Sequence, residues 1–149
     1  MFCRAKAIII KTKSISYRNL EVWKKAIRLA RVIYELTNNF HKLEEYGLTS
    51  QIRRSAISLA SNIAEGQVRN SKKEFLYFLN VGLGSLAELE TQLIIAQEIS
   101  YISLERLEMV LGTTDEITRI IKGLIKHLKS RKPATNSTQN SKLKTRNSR

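Results

Sequence analysis

An apolar repeat through the middle of the chain constrains the fold most. From position 75 to position 96, apolar or small residues recur at alternating steps of four and three, which is the spacing of helices packed in bundles. Ser71, with Glu74 three residues later, forms a capping box in front of this repeat, so we predict a helix that begins there. The residues of the repeat are Phe75, Leu79, Gly82, Leu86, Leu89, Leu93 and Ala96.

Three further segments have helical periodicity and complete the fold class. They follow Asn19, Gly47 and Ser103, and short links join them. One Pro and six Gly in 149 residues are too few for a turn-rich β fold. We therefore predict an all-α protein, an antiparallel up-down-up-down four-helix bundle over residues 17–129. The first segment has two adjacent apolar series, Trp23, Ile27, Ala30, Tyr34 and Thr37 beside Val22, Ala26, Leu29, Ile33 and Leu36; the second segment has Ile52, Ala56, Leu59 and Ile63; the fourth has Leu107, Val110, Thr114, Ile117, Ile121, Leu124 and Leu128.

Local signals predict helix ends and close contacts. Asn19 is a suitable N-cap for the first helix, and Gly66, or alternatively Asn70, can end the second helix in a left-handed conformation. Gly82 and Gly84 each cost a helix about 1 kcal/mol relative to Ala, so we expect a neighbouring backbone close to them. The two apolar series of the first helix are wider together than one core requires, which indicates that part of this helix covers a subunit contact.

The positive charge is concentrated in the two terminal segments. The chain has 26 Lys and Arg against 13 Asp and Glu, a formal charge of +13. Residues 1–16 hold four of these cations and residues 130–149 hold six, both without an acid, so residues 17–129 carry only +3. The polar composition of residues 130–149 predicts a disordered basic tail. Residues 1–16 form a second basic tail, whose Ile cluster could be a short strand, a docking segment or the product of an upstream start codon.

The residue patterns of enzymes and metal sites are missing. Cys3 is the only cysteine, so one chain cannot form a disulfide or a cysteine-based zinc site. Neither His41 nor His127 follows a Glu at the three-residue spacing of a bundle di-iron site. No apolar run is long enough for a membrane span or a signal peptide. We expect a cytoplasmic protein that is not an enzyme, with no catalytic residue, no metal, no cofactor and no membrane association.

Two groups of cations are candidate nucleic-acid-binding surfaces, because rows of cations attract phosphates by releasing counterions. The first group projects from one face of the first helix, and the second surrounds the second helix and the turn after it. The alternative interpretation of the first group is a solvated face, partly neutralised by an i, i+4 pair of Glu21 with Lys25. Arg31 would pair in the same way with Glu35. The first group is Lys24, Lys25, Arg28 and Arg31, and the second is Arg53, Arg54, Arg69, Lys72 and Lys73.

Polar residues in the second helix have a structural interpretation. Asn62 and Glu65 stand three apart among small and apolar residues, and we expect them to form a polar network that fixes the bundle register or a subunit contact. A buried carboxylate needs a partner, which Arg53, Arg54 or a helix-end amide could supply. The aromatic residues on the apolar series are interpreted as core residues rather than as stacking platforms for bases: Trp23, Tyr34 and Phe75.

Four ordered blocks resemble a known family. They are residues 17–26 (YRNLEVWKKA), 46–55 (YGLTSQIRRS), 61–66 (SNIAEG) and 84–90 (GSLAELE). They resemble the four-helix-bundle family that includes proteins encoded in intervening sequences of bacterial 23S rRNA genes and the accessory variability determinant of diversity-generating retroelements. The resemblance implies a ring-like homopentamer, and its retroelement branch implies binding to nucleic acid and to a reverse transcriptase. The bundle charge of only +3 favours the intervening-sequence branch.

These observations lead to one functional hypothesis and one alternative. The hypothesis is a non-enzymatic homo-oligomer, a pentamer by resemblance, that binds RNA or DNA non-specifically through its basic tails and one basic face. The alternative is a protein-interaction scaffold or an accessory subunit of a reverse transcriptase, in which the tails only aid solubility.

Overall fold

A computed structural model describes residues 16–130 and contains four long helices. They are α1 (Glu21–Thr37), α2 (Leu48–Val68), α3 (Lys72–Glu98) and α4 (Leu104–Ser130). Short 3-10 turns precede α1 and α2, and residues 16–130 contain no strand. The all-α prediction is confirmed. The predictions for the two basic tails fall almost entirely on residues 1–15 and 131–149, outside the described part; Ser130, assigned to the second tail, still belongs to α4.

Contacts between the helices define an antiparallel bundle. Between α2 and α3, the Ser58 and Ser85 hydroxyls lie 2.9 Å apart, while Gly66, further along α2, packs against Phe78, which is earlier in α3. Each helix packs against its two neighbours in cyclic order, and α1 closes the ring by contacting α4. Across the diagonals, no Cα atoms of residues 16–130 come within 8 Å of each other. The up-down-up-down topology follows from these contacts.

The two ends of the bundle hold different parts of the chain. The Phe40 and Tyr101 rings pack edge to face with centroids 5.2 Å apart, which joins the α1–α2 and α3–α4 links at one end, here called the loop end. The α2–α3 link, Ser16 and Ser130 therefore lie at the opposite end, here called the terminal end.

The predicted α3 repeat forms the centre of the core. All seven of its residues are buried, and the four predicted apolar residues of α2 have no exposed surface. On α1, the fully buried series is the one that begins at Val22. The prediction that Tyr34 lies in the core is wrong, because this side chain is 41% exposed, and Ile27 is 44% exposed. In the adjacent series Thr37 is buried, and Trp23 and Ala30 are partly buried against the core. Only Ile27 and Tyr34 of that series are exposed, because one apolar series is enough for α1 to fill most of its share of the core.

Two predictions of helix ends need correction. Leu20, not Asn19, precedes α1 and makes no side-chain cap bond; Asn19 lies in the preceding turn. The second helix continues past Gly66 to Val68, and the left-handed residue is the predicted alternative, Asn70, with φ of 52°.

The close approach between helices occurs at a glycine other than the two predicted. A Cβ atom on Gly82 would meet only the end of Leu59 at 3.5 Å, and one on Gly84 would meet nothing within 4 Å. A Cβ atom on Gly66 would lie 2.7 Å from Cβ of Phe78 and 3.0 Å from the Phe75 ring. The backbone of α2 therefore needs glycine at position 66 in order to pack against α3.

Candidate nucleic-acid interface

The antiparallel topology separates the charges of the bundle along its length. Dividing each helix near its midpoint gives a terminal half (residues 16–28, 59–84 and 118–130) and a loop half (residues 29–58 and 85–117). The terminal half holds eleven Lys and Arg and three Glu, a net charge of +8. The loop half holds five Lys and Arg and ten Asp and Glu, a net charge of −5. A bundle with a small net charge is therefore strongly basic at one end and acidic at the other.

The basic tails join the chain at the basic end. Ser16 and Ser130 both lie at the terminal end, so residues 1–15 and 131–149 are attached there. These residues bring ten more cations and no acid. The sequence thus adds cations on both sides of the described part, and cations favour phosphate binding.

The predicted cation row on α1 is largely neutralised. Lys24 contacts Glu21 at 2.8 Å, and Lys25 contacts Glu116 of α4 at 2.8 Å. The Lys24 hydrogen bond holds the pKa of Glu21 below its usual value, and Lys25 does the same for the pKa of Glu116. The predicted Glu21–Lys25 pair is thus wrong, because Lys25 reaches across to the neighbouring helix.

The other two cations of the α1 row differ from each other. The predicted Arg31–Glu35 pair is confirmed at 3.5 Å, on the exposed surface. Arg28 is exposed and has no ion pair with another described residue, although it shares a cleft with Lys25 and Glu116. The row therefore offers one cation without an ion pair rather than four.

Arg53 and Arg54 are neighbours in sequence with different surroundings. The Arg53 guanidinium donates to Thr37 Oγ1 at 2.8 Å and to Asn38 Oδ1 at 3.1 Å, and its carbon lies 4.6 Å from the centre of the Tyr34 ring. It joins α2 to the end of α1. Arg54 is exposed between two surface clefts and has no such bond to any of residues 16–130.

The difference between these two arginines predicts different effects on stability. We expect Arg53→Met to lower the free energy of unfolding by about 1–2 kcal/mol, because it removes two hydrogen bonds and a cation–π contact. The matched variant Arg54→Met should change it by less than about 0.5 kcal/mol. Urea unfolding followed by circular dichroism measures both; equal effects would contradict a structural role for Arg53.

The cations around the α2–α3 link lie at the terminal end. Arg69 contacts Glu65 at 2.7 Å and packs over the Phe78 ring, and the Glu65 hydrogen bond raises the pKa of Arg69. Lys72 and Lys73 are exposed in the first turn of α3. Both lysines belong to the terminal half of the bundle, and much of the Arg69 charge is compensated.

Of the two residues predicted to form a polar network, Asn62 belongs to one and Glu65 does not. Glu65 is exposed rather than buried, and its partner is Arg69 rather than Arg53 or Arg54. The Asn62 side-chain amide donates to the Ser58 carbonyl oxygen at 2.8 Å and to the Ser58 hydroxyl at 3.1 Å.

The polar network that includes Asn62 continues from α2 to α3. The Ser58 and Ser85 hydroxyls form a hydrogen bond with each other, and the Ser55 hydroxyl donates one to Gln92 Oε1 at 3.1 Å. These residues line a cleft of about 640 Å³ together with Arg54 and Glu88. Their small side chains indicate close helix packing in the sequence, and the pairing across helices becomes visible only in the structure.

A second cation row, which sequence reasoning missed, occupies the last turns of α4. Its four members are exposed, and none has an ion pair with another described residue. The signal in the sequence was their spacing of three, four and three, together with the absence of acids from residues 117–130. The row is Arg119, Lys122, Lys126 and Lys129.

Residues 16–130 also lack the side-chain groups of a metal site and the helix of a membrane span. Among residues 16–130, no group of three or more His, Cys, Asp and Glu is arranged to hold a metal ion. His41 accepts a hydrogen bond from the Leu43 backbone at 3.2 Å and so caps the short turn before α2. None of the four helices is long and apolar enough to cross a membrane.

The fold and the charges define the class of protein: a small four-helix bundle with a basic terminal end. The family model of the 23S rRNA-intervening sequence protein matches residues 18–123, so the chain belongs to that family, and the resemblance of the four blocks is confirmed. A crystal structure of a protein of unknown function, from the S23 ribosomal protein family of Bacteroides thetaiotaomicron VPI-5482, is 29% identical. It has a TM-score of 0.63, and the match covers 70% of this chain and 98% of that chain. No curated protein matches the chain.

Proposed function

We propose that the protein is a non-enzymatic, homo-oligomeric bundle of the cytoplasm that binds RNA or DNA through phosphate contacts at its terminal end. The observation that carries this proposal is the separation of charge, +8 in the terminal half against −5 in the loop half. The ten tail cations attach at the same end. The site requires no cofactor, since its chemistry is ionic contact with phosphates.

The charge separation also gives the binding a direction. Cations that contact phosphates release condensed counterions, which supplies affinity without base recognition. The acidic loop half repels the same phosphates, so nucleic acid approaches the bundle from its terminal end. Binding should therefore be oriented, insensitive to sequence and strongly dependent on salt.

A salt titration of the full chain tests this proposal. Fluorescence anisotropy of a labelled 24-base-pair duplex, at 0.05 to 0.3 M salt, gives Kd at each concentration. We expect Kd to rise by about 100-fold or more between 0.05 and 0.2 M, as for proteins with several phosphate contacts. No binding at 0.05 M, or a Kd that does not change with salt, would contradict the proposal.

The proposed oligomer is supported by apolar surface on α1, on α2 and on the link between them. Tyr34, Tyr46 and Ile57 are exposed and line one shallow cleft, and Ile27 is exposed two turns before Tyr34. A ring of subunits that covers this face would bring several basic ends together and raise their avidity.

Light scattering after size-exclusion chromatography measures the number of subunits. The pentamer that the family resemblance implies has five times the 17.1 kDa mass of one chain. A monodisperse monomer at micromolar concentration would contradict the proposed oligomer. It would not contradict nucleic-acid binding, which the salt titration tests separately.

The second candidate function is a protein scaffold, including an accessory role beside a reverse transcriptase. Exposed apolar side chains on α3 and α4 favour it: Ile94, Ile95, Ile99, Leu104 and Met109. They lie in the acidic half, which suits a basic protein partner. This function becomes the leading one if the full chain fails to bind nucleic acid at 0.05 M salt.

A further inference from the structure

The cation row of α4 has the geometry of a phosphate-binding surface. At 3.6 residues per turn, Arg119, Lys122, Lys126 and Lys129 fall within an arc of about 80° and along about 15 Å of the helix axis. All four side chains are exposed. Asp115 continues the same face one turn before Arg119, and it marks the limit of the row toward the loop end.

The helix end alone does not account for this row. Cations stabilise the C-terminal turn of a helix through the dipole, and this effect is confined to that turn. Lys126 and Lys129 are close to Ser130, but Arg119 and Lys122 are more than two turns before it. Four exposed cations in line, none with an ion pair to another described residue and with no acid from residue 117 to residue 130, therefore point to a ligand.

The α4 row and the α1 row differ in the number of their cations that contact carboxylates. Three of the four α1 cations contact carboxylates, whereas the α4 cations have no ion pair with another described residue. Lys72 and Lys73, at the start of the neighbouring α3, lie at the same end of the bundle. The α4 row and these two lysines therefore place positive charge at the same end of the bundle.

We propose that the α4 row binds the sugar–phosphate backbone of a nucleic-acid duplex. This inference rests on the function proposed above and assigns the contact within the terminal end. Residues 104–130 contain no Phe, Tyr or Trp, so α4 offers no platform on which the bases of a single strand could stack. A straight row of cations instead suits the regular phosphates of a double helix.

Two full-length variants with the same loss of charge test the assignment. One replaces the four α4 cations: Arg119→Gln, Lys122→Gln, Lys126→Gln and Lys129→Gln. The control replaces four exposed cations of the loop half: Arg31→Gln, Lys42→Gln, Arg54→Gln and Arg106→Gln. Circular dichroism establishes that both variants are folded, and both are titrated with the 24-base-pair duplex and with one of its strands alone.

The expected result is a selective loss for the α4 variant. The slope of log K against log salt for the duplex should fall by about 3 to 4, since each lost phosphate contact removes close to one unit. For the control variant, the same slope should fall by less than about 1. The wild-type chain should bind the duplex more tightly than the single strand. Equal slopes for the two variants overturn the α4 assignment, and equal or tighter binding of the single strand overturns the duplex preference. A wild-type chain that binds neither probe overturns the proposed function itself.

Discussion

Replacing Gly66 by Ala should destabilise the bundle by about 1–3 kcal/mol, the usual effect of an added methyl group in a tightly packed core. Gly66 has an ordinary helical conformation, so Ala is not excluded by the backbone. The destabilisation comes from packing, because the new Cβ atom would lie 2.7 Å from Cβ of Phe78 and 3.4 Å from Cα of Phe75. Neither atom is the mobile end of a side chain, so α2 and α3 have to move apart.

The matched control for this prediction is Gly84→Ala. A Cβ atom at Gly84 meets nothing within 4 Å, so this variant should gain up to about 1 kcal/mol from helix propensity alone. Urea unfolding gives the free energy of unfolding of both variants. The gain in helix propensity cancels when the two values are subtracted, and the difference measures the packing effect at Gly66. Equal stabilisation of the two would show that α2 and α3 do not meet closely at Gly66.

Neutralising the tails should have the largest effect on binding. Substituting Gln for all ten tail cations lowers the formal charge from +13 to +3 and leaves the terminal half of the bundle at +8. We expect Kd for the duplex at 0.15 M salt to rise by about tenfold or more, and the salt slope to fall by several units. Binding should persist at 0.05 M, because the cations of α4 and of the first turn of α3 remain.

The control for the tails exchanges Lys and Arg at the same ten positions. This variant keeps the charge, so its Kd and salt slope should match those of the wild-type chain. If neutralised tails abolish binding even at 0.05 M, the folded bundle contributes nothing and the α4 assignment is lost. If they leave the slope unchanged, the tails do not contact phosphates.

The core could be predicted closely because its pattern is periodic. All seven residues of the α3 repeat are buried as expected, and Ser71 caps α3 by accepting a hydrogen bond from the Glu74 backbone. The two apolar series of α1 could not be ranked, since both have helical spacing and only the positions of α2 and α4 decide which one is buried. The need for glycine at position 66 depends in the same way on where Phe75 and Phe78 are placed.

The candidate site was less predictable because electrostatics depends on distance in space. Lys25 pairs with Glu116, on a helix far away in the sequence, and this contact compensates one of the four cations of the α1 row. The charge separation, in contrast, follows from the sequence once the helices are taken as antiparallel, since alternate half-helices then share an end. The net charge of residues 17–129, only +3, does not reveal this separation because basic and acidic half-helices cancel in the sum.

Lysine footprinting of the bound complex tests the central claim, that nucleic acid contacts the terminal end, most directly. The full chain is acetylated briefly with and without the duplex at low salt, and mass spectrometry gives the modification of each lysine. The account predicts strong protection of Lys122, Lys126 and Lys129 and little change at Lys42 of the loop end. Protection of Lys42 equal to that of the α4 lysines, or no protection of the α4 lysines in a chain that does bind, would contradict it.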